Sequence, residues 1–333
     1  MAAYRKQHAR FYSQLLGIGA LAASNALPAY CQEAEKAGPG TAVESAAMTK
    51  IGENPGTDFT NPVNSLDLRF QYRPSSAPGS ETDSERAILR ATTLIKLEEG
   101  WKVSLYAQTQ GEAKQTSKSS SSTEETEGEA KQTSKSSGST DEWGYARTEG
   151  KAKQSSKSSS LTDEAGLGDS EFQAVLIREF NKRWAAGVGT FILAPTASDQ
   201  IGSGKWQVMP GFGFRYSFLE LGEETFVAPQ MRYAVSVAGT ASTRDISELQ
   251  IAPLFNLDLP DRWFLTLYPS FDIRINLGPR VPGQTGQLFL PADAEIGYRL
   301  GDYIVIALEG SVPIIKDYPV YDFKTQLRFI FKY

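Results

Sequence analysis

The chain has 333 residues, of which 40% are hydrophobic, and it carries a net charge of -5 at neutral pH. This length fits two ordinary domains or one large β-structure. Because nucleic-acid surfaces normally carry a basic excess, the acidic balance predicts no nucleic-acid partner.

The first 31 residues have the pattern of a secretory signal peptide, with a charged start, a short apolar core and small residues near a cleavage point. The charged start is formed by Arg5, Lys6 and Arg10. The sequence is consistent with cleavage after Ala26 and with cleavage after Cys31. Lipid attachment at Cys31 is the weaker alternative, because Tyr30 stands where a small residue is expected.

Cysteine and histidine are almost absent from the chain. The only cysteine is Cys31 and the only histidine is His8. Cleavage after Cys31 therefore leaves no disulfide, no cysteine nucleophile, no Ser–His pair and no histidine-ligated metal. We expect no enzyme activity, no metal and no cofactor. Since no run of about 18 apolar residues follows the signal, a transmembrane helix is not expected either.

Residues 32–64 are polar and lack periodicity, which predicts a flexible periplasmic segment. After it, apolar and polar residues alternate, so they fall on opposite faces of strands. In SLDLRFQYR, Leu66 and Leu68 alternate with Asp67 and Arg69. The pattern predicts strands at 65–73, 86–97, 101–110, 170–180, 184–194, 206–218, 225–237, 246–259, 263–276, 287–300, 303–313 and 321–333.

The connections between these twelve segments alternate between long and short. The short ones are 98–100, 181–183, 219–224, 260–262 and 301–302. Bacterial outer-membrane barrels have short periplasmic turns and longer extracellular loops. The sequence therefore predicts an all-β fold, a transmembrane antiparallel up-and-down β-barrel of about twelve strands over 65–333, with both termini in the periplasm.

Aromatic residues recur at the end of the predicted barrel that carries the short connections. Aromatic rings are favoured at the level of lipid headgroups, and rows of them form girdles around such barrels. The predicted interface girdle consists of Trp101, Trp184, Trp263, Tyr303 and Tyr333. The main alternative is a soluble β-sandwich or a lipocalin-like barrel, in which the polar face would be outside and the apolar face inside.

If the apolar faces meet lipid, the polar faces line a lumen in which both charge signs are interspersed. The pore-lining candidates are Asp67, Arg69, Arg90, Arg232, Asp272, Arg274, Asp293, Glu295 and Arg328. Further lumen positions are Lys102, Gln230, Glu248, Gln250, Lys324 and Gln326. Rings of one sign select ions by charge, so this mixture predicts no strong ion preference. Twelve strands predict a narrow or partly plugged pore.

A polar repeat interrupts the barrel pattern between residues 111 and 169. EAKQTSKSS occurs at 112–120 and 129–137, and KAKQSSKSS follows at 151–159. Such Ser/Lys-rich units cannot bury enough apolar surface to offset the entropy of ordering, which predicts a disordered extracellular loop. Because acidic residues outnumber basic ones across the loop, a solvated loop is favoured over a specific binding arm.

Two further motifs contain residue types that can take part in catalysis or phosphate binding. GSGK at 202–205 lacks the first glycine of a phosphate loop and is followed by Trp206, so it fails that pattern. We expect Lys205 and Trp206 to anchor the strand at the membrane interface. The carboxylates of Asp293 and Glu295 share a strand face and could serve acid–base chemistry. Pairing with Arg and Lys of neighbouring strands is the favoured interpretation, because the inward faces of such barrels are polar.

From about Gly166 to its end, the chain resembles a family of bacterial outer-membrane β-barrels associated with the meta-cleavage pathway of phenol degradation and described as transporters. The resemblance is carried by GLGDSEFQAVL at 166–176, AAGVGTFILAPTASDQIGSGKWQVMPGFGFRYSF at 185–218, LQIAPLFNLDLPDRWFLTLYP at 249–269 and the terminal FKTQLRFIFKY. It implies passage of small aromatic or other organic solutes and brings no catalytic residue. The repeat insertion departs from the family pattern.

Together these observations predict a cell outer-membrane channel or transporter for passive passage of small solutes, exported through a cleaved signal peptide. Its expected partners are outer-membrane lipid and lipopolysaccharide, the barrel assembly machinery during insertion, and a small-molecule solute. The alternative is a non-conducting structural or surface-display barrel that presents the 111–169 loop. An outer-membrane hydrolase is disfavoured by the missing histidine.

Overall fold

The computed structural model describes residues 58–77, 80–123, 155–198, 201–222 and 224–333. The predicted signal peptide and most of the predicted 32–64 segment lie outside these ranges. Within them, no helix has the length and apolarity needed to cross a membrane.

The described residues form strand segments and one short 3-10 helix at Pro260–Arg262. The strands are β1 (Ser65–Ala77), β2 (Ser80–Lys96), β3 (Trp101–Thr123), β4 (Ser155–Leu167), β5 (Ser170–Glu179), β6 (Trp184–Ala194), β7 (Lys205–Ser217), β8 (Phe226–Val227), β9 (Gln230–Gly239), β10 (Ser247–Ala252), β11 (Phe255–Asp258), β12 (Trp263–Leu267), β13 (Ile273–Asn276), β14 (Leu288–Leu300), β15 (Ile304–Lys316) and β16 (Lys324–Lys332).

The sheet closes on itself through its first and last strands. β1 pairs with β2 on one side and with β16 on the other, so that Ser65 faces Lys332 and Tyr72 faces Thr325. All pairings are antiparallel, and neighbours in sequence are neighbours in the wall. The predicted closed antiparallel barrel of twelve strands is thus confirmed. Closure pairs both edges, which an open sheet leaves exposed.

Sixteen segments make twelve wall strands because three strands are broken in two and β4 continues the line of β5 along β3. The breaks separate β8 from β9, β10 from β11, and β12 from β13. Each contains a proline, Pro229, Pro253 and Pro269 respectively. Proline has no N–H to donate to a neighbouring strand, which favours a break at these three points. Other prolines are tolerated inside strands, as Pro210 is in β7.

Side chains along the strands alternate between the lumen and the outer surface. In β14, Asp293, Glu295 and Arg299 are buried inside, whereas Ile296 and Leu300 are exposed outside. β16 follows the same rule, with its charged face inward and its apolar face outward. Closure and this orientation together exclude the β-sandwich and the lipocalin-like alternative.

Two hairpins extend further than the sequence predicted. The predicted connection 74–85 is instead paired strand up to Ala77 and Ser80. Likewise 111–123 and 155–167 form a continuous ladder between β3 and β4, so the first repeat copy lies in β3. Backbone pairing continues there although both faces are polar, because ladder hydrogen bonds need no apolar pattern. The remainder of the predicted disordered loop, 124–154, lies outside the described residues.

The two ends of the barrel differ in their connections. We call the end with 97–100, 180–183, 218–225, 259–262 and 301–303 the turn end, and the opposite end the loop end. The loop end carries 78–79, 124–154, 195–204, 240–246, 277–287 and 317–323. Long and short connections alternate as predicted except between β1 and β2, where pairing continues to Ala77 and Ser80 and shortens the connection to two residues.

The outward apolar face yields a direct prediction at Ile296, which is 46% exposed near the middle of β14. We expect Ile296→Arg to destabilise the barrel in lipid by roughly 2–4 kcal/mol, the cost of a basic side chain at the bilayer midplane. The measurement is reversible urea unfolding in lipid vesicles. The matched control is Gln173→Arg, which places the same side chain on the cavity wall. Equal losses for both variants would contradict the assignment of inner and outer faces.

Candidate functional site

The lumen contains a cavity of about 530 Å³. Its walls come from most strands of the barrel, and its lining is mostly polar and charged. Six predicted pore-lining residues lie on it, namely Arg69, Arg90, Arg232, Asp272, Arg274 and Arg328. The other three, Asp67, Asp293 and Glu295, point inward but are buried behind the lining.

These three acidic residues are held against basic side chains. Asp67 pairs with Arg69 at 2.5 Å, and Glu295 accepts a hydrogen bond from Arg328 at 2.8 Å. Asp293 lies 3.6 Å from the ammonium of Lys324. Buried charges are tolerated when they are paired in this way. The pairs are local, since Asp67 and Arg69 lie on one strand and the other two pairs join β14 to β16. Ion pairing is thus the arrangement that the structure shows, as the sequence favoured over acid–base chemistry.

Asp272, Asp293 and Glu309 form a buried group close enough to ligate a metal ion. The Lys324 ammonium lies between them and contacts both Asp272 and Glu309. It supplies the positive charge that a metal would otherwise supply. We therefore interpret this group as a lysine-centred ion-pair cluster.

Other carboxylates on the cavity wall are also engaged. Glu248 pairs with Arg244 at 3.2 Å and with Arg274 at 3.8 Å. Glu112 pairs with Arg86 at 3.0 Å and with Lys114 at 3.5 Å. Most carboxylates of the predicted lumen are thus neutralised by an adjacent arginine or lysine.

A row of five side chains crosses the lumen, and we call it the transverse layer: Arg90, Tyr106, Phe191, Arg232 and Phe271. The Arg90 guanidinium lies 4.4 Å from the centre of the Tyr106 ring. Tyr106 and Phe191 meet edge to face at 5.9 Å. Arg232 lies between Phe191 and Phe271, at 4.4 Å from each ring. Stacking on rings fixes these two cations in place without neutralising them.

The turn end of the lumen is narrowed by the chain segment before β1, which we call the N-terminal plug (58–63). Asp58 is buried and forms an ion pair with Arg215 at 2.7 Å. Phe59 packs against an inward apolar cluster formed by Phe226, Ala228 and Leu254. The plug contributes Asp58, Phe59, Pro62 and Val63 to the cavity lining.

Glycines on the wall make room for the plug. A Cβ at Gly187 would lie 2.9 Å from the Phe59 ring, and one at Gly213 would lie 2.6 Å from it. Both separations are below van der Waals contact, so only glycine fits while the ring is docked. The Phe59 ring therefore occupies a notch that β6 and β7 provide.

A buried carboxyl lies near the plug, in the turn-end connection between β7 and β8. Burial raises the pKa of Glu224 to about 7, an effect that nearby Arg215 partly offsets and Asp58 reinforces. This carboxyl is consequently partly protonated at neutral pH. One of its oxygens is buried and has no hydrogen-bond partner among the described residues.

At the loop end, the GSGK segment forms a tight loop that is fastened to the wall. Asp169 accepts hydrogen bonds from the backbone N–H of Ser203 at 2.8 Å and from its hydroxyl at 2.7 Å. Gly204 has a φ of 62°. The predicted interface role of Lys205 is wrong, because its side chain points inward and pairs with Asp245 at 2.9 Å. Trp206 points outward.

The predicted girdle residues lie at the turn end with their rings on the outer surface. Trp101, Trp184, Trp263, Tyr303 and Tyr333 are between 38% and 62% exposed. The Trp263 ring contacts Tyr298 on the adjacent strand, with ring centres 5.1 Å apart. Their role at a lipid interface stays a prediction.

Several aromatic residues point inward, although the sequence predicts a polar inward face. Phe191 and Phe264 belong to predicted strands, but their side chains are buried on the inward face. Reading the strict alternation of β6 through Gly187, Gly189 and Phe191 would have placed this ring inside. For Phe59 the sequence offers no comparable signal, because the plug has no strand periodicity.

Comparison with known proteins supports part of the predicted resemblance. Residues 138–228 match the family described as "Putative MetA-pathway of phenol degradation". The match contains the blocks at 166–176 and 185–218, and it confirms the resemblance for this part of the chain. No curated protein matches the chain in sequence.

Solved barrels are similar to this chain at low identity. The KdgM porin is 8% identical, with coverage of 81% of this chain and 99% of its own and a TM-score of 0.40. The NanC porin is 9% identical, with coverage of 80% and 100% and a TM-score of 0.42. The translocator domain of the autotransporter NalP from Neisseria meningitidis is 10% identical, with coverage of 84% and 91% and a TM-score of 0.39. Similarities at this level carry no argument about substrates.

Proposed function

We propose that the protein is an outer-membrane channel through which small solutes pass passively. The observation that carries the proposal is the combination of a polar cavity of about 530 Å³ with a closed wall whose outer face is apolar. A bilayer accepts such a wall because all its backbone groups can pair within the barrel. Water and polar solutes then have a path that avoids hydrocarbon.

The size of the cavity restricts what can pass. Cavities of roughly 300–1,000 Å³ hold molecules of small organic size, not folded domains. The charged and amide groups of the lining replace part of a solute's hydration during passage. The resemblance to the phenol-degradation family adds small aromatic or other organic compounds as candidate solutes.

The orientation of the barrel in the membrane follows from the lengths of its connections. In outer-membrane barrels the short turns face the periplasm, so the turn end and the plug would lie there and the loop end would face outward. The girdle residues would then mark the inner boundary of the membrane. Solutes would enter at the loop end, cross the transverse layer and leave past the plug.

A second candidate is a non-conducting barrel that displays residues 124–154. The observation that favours it is the β3–β4 ladder, which continues strand pairing from Gly111 and Leu167 out to Thr123 and Ser155. Such a hairpin would hold an insertion well away from the rest of the barrel. The plug is also compatible with a sealed lumen.

Conductance separates the two candidates. We expect the refolded protein in a planar bilayer to give discrete single-channel currents, and deletion of 124–154 to leave them intact. The display candidate predicts no current from either protein. A refolded sample is checked for a closed barrel by heat-modifiable migration in gel electrophoresis before the currents are measured.

The plug provides a second test of the channel. We expect Phe59→Ala combined with Asp58→Asn to increase single-channel conductance, because loss of the ring contacts alone removes about 3 kcal/mol of packing. The Arg215 ion pair would be weakened at the same time. The control is Leu221→Ala, which removes an exposed side chain from a neighbouring turn-end connection. An unchanged or smaller conductance would contradict a narrowing role for 58–63.

A further inference from the structure

The two arginines of the transverse layer differ from the other charged residues of the cavity. Neither Arg90 nor Arg232 forms an ion pair with a carboxylate in the described part of the chain; their hydrogen bonds go to neutral amides. Arg90 donates to Gln108 at 2.8 and 3.1 Å, and Arg232 donates to Gln250 at 2.7 Å. Among the described residues, no carboxylate therefore lies within ion-pair distance of either guanidinium.

Arg232 also has hydrogen-bond donors that are not used within the described part of the protein. Only its Nε is used, and its two terminal nitrogens make no hydrogen bond with the described residues. Neither terminal nitrogen is among the buried atoms without a partner, so both are open to the cavity. A guanidinium edge with two free nitrogens matches a carboxylate, which it binds through parallel hydrogen bonds.

The acidic group nearest the layer leaves this edge open. Glu171 lines the cavity and accepts a hydrogen bond from the Tyr106 hydroxyl. It is not in ion-pair contact with Arg90 or Arg232 among the described residues. A solute anion at Arg232 therefore does not have to displace an internal carboxylate.

Next to Arg232 the otherwise polar wall becomes apolar. Phe191, Met209 and Ala234 form a buried cluster. Tyr106, Leu193, Ile246 and Phe271 pack against it, and all of these except Ala234 line the cavity. We call this surface the apolar patch. An apolar patch beside an uncompensated cation is complementary to a molecule with an acidic group on a flat hydrocarbon body.

We propose that Arg232, with Arg90 beside it, binds the carboxylate of small aromatic acids while the apolar patch contacts their rings. The inference rests on the proposed channel function and names the solute class for the same lumen. It also replaces the expectation of no ion preference. Most lining carboxylates are held in ion pairs, with Asp169 and Glu171 as the exceptions, whereas Arg90 and Arg232 have no such partner among the described residues; the channel should therefore prefer anions.

The test uses the full-length barrel in planar bilayers, with benzoate as the probe. We expect the reversal potential in a potassium chloride gradient to show anion preference, and benzoate to reduce the chloride current at millimolar concentrations. Arg232→Gln should raise the half-blocking benzoate concentration roughly tenfold, because a charge-assisted hydrogen-bond pair is lost. Acetate, which lacks the ring, and benzyl alcohol, which lacks the charge, should block much less.

Arg73→Gln is the matched control. Arg73 also lines the cavity and has no ion pair among the described residues, but it lies over the Tyr321 ring and not on the apolar patch. Its loss removes the same charge, so the reversal potential should shift while the half-blocking benzoate concentration stays unchanged. Equal effects of both variants on benzoate block would overturn the assignment to Arg232.

The outcomes separate this inference from the proposed function. A conducting barrel on which benzoate and acetate act alike would overturn the aromatic-acid site and leave the channel in place. A barrel without any current would overturn the channel. In that case fluorine NMR of 4-fluorobenzoate with the detergent-solubilised protein still tests the site, and line broadening that is equal for wild type and Arg232→Gln would exclude it.

Discussion

Pairing between β1 and β16 is the interaction on which the rest of the molecule depends. In hydrocarbon no water is available for backbone N–H and C=O groups, so a sheet can span a bilayer only if it has no unpaired edge. Once the edges meet, each strand has one face toward the lumen and one toward the outside. The alternation in β14 and β16 then assigns apolar side chains to lipid and charged side chains to the lumen.

The lumen has to accommodate the charges that this assignment brings inside. Most carboxylates meet a lysine or arginine on a neighbouring strand, as in the cluster around Lys324. Inward aromatic residues and the plug fill much of the remaining width. The described residues enclose a cavity of about 530 Å³, crossed by the transverse layer, in which Arg90 and Arg232 contact rings and amides instead of carboxylates. Its selectivity thus depends on which charges remain unpaired, and the count of charges alone does not reveal this.

Sequence reasoning could predict the wall well and the interior only in part. The period-2 pattern identified all twelve wall strands, because inside and outside differ in polarity along most of them, although both faces of β6 are largely apolar. It could not predict the β3–β4 ladder, since both faces of that hairpin are polar. The docking of Phe59, the inward turn of Lys205 and the partners of Arg232 depend on contacts between residues far apart in sequence, and no local pattern encodes them.

The central claim is that the apolar faces meet lipid while the charged faces meet water inside a closed wall. The most direct test is a series of single cysteines, each carrying a spin label, at residues 292–296 and 298 of β14 in lipid vesicles, with Cys31 as the only native cysteine. The account predicts that labels at 292, 294, 296 and 298 collide with dissolved oxygen and those at 293 and 295 do not. The account would be contradicted if the labels that collide with oxygen were instead the odd-numbered ones. Equal access of all labels to a water-soluble nickel chelate would also contradict it.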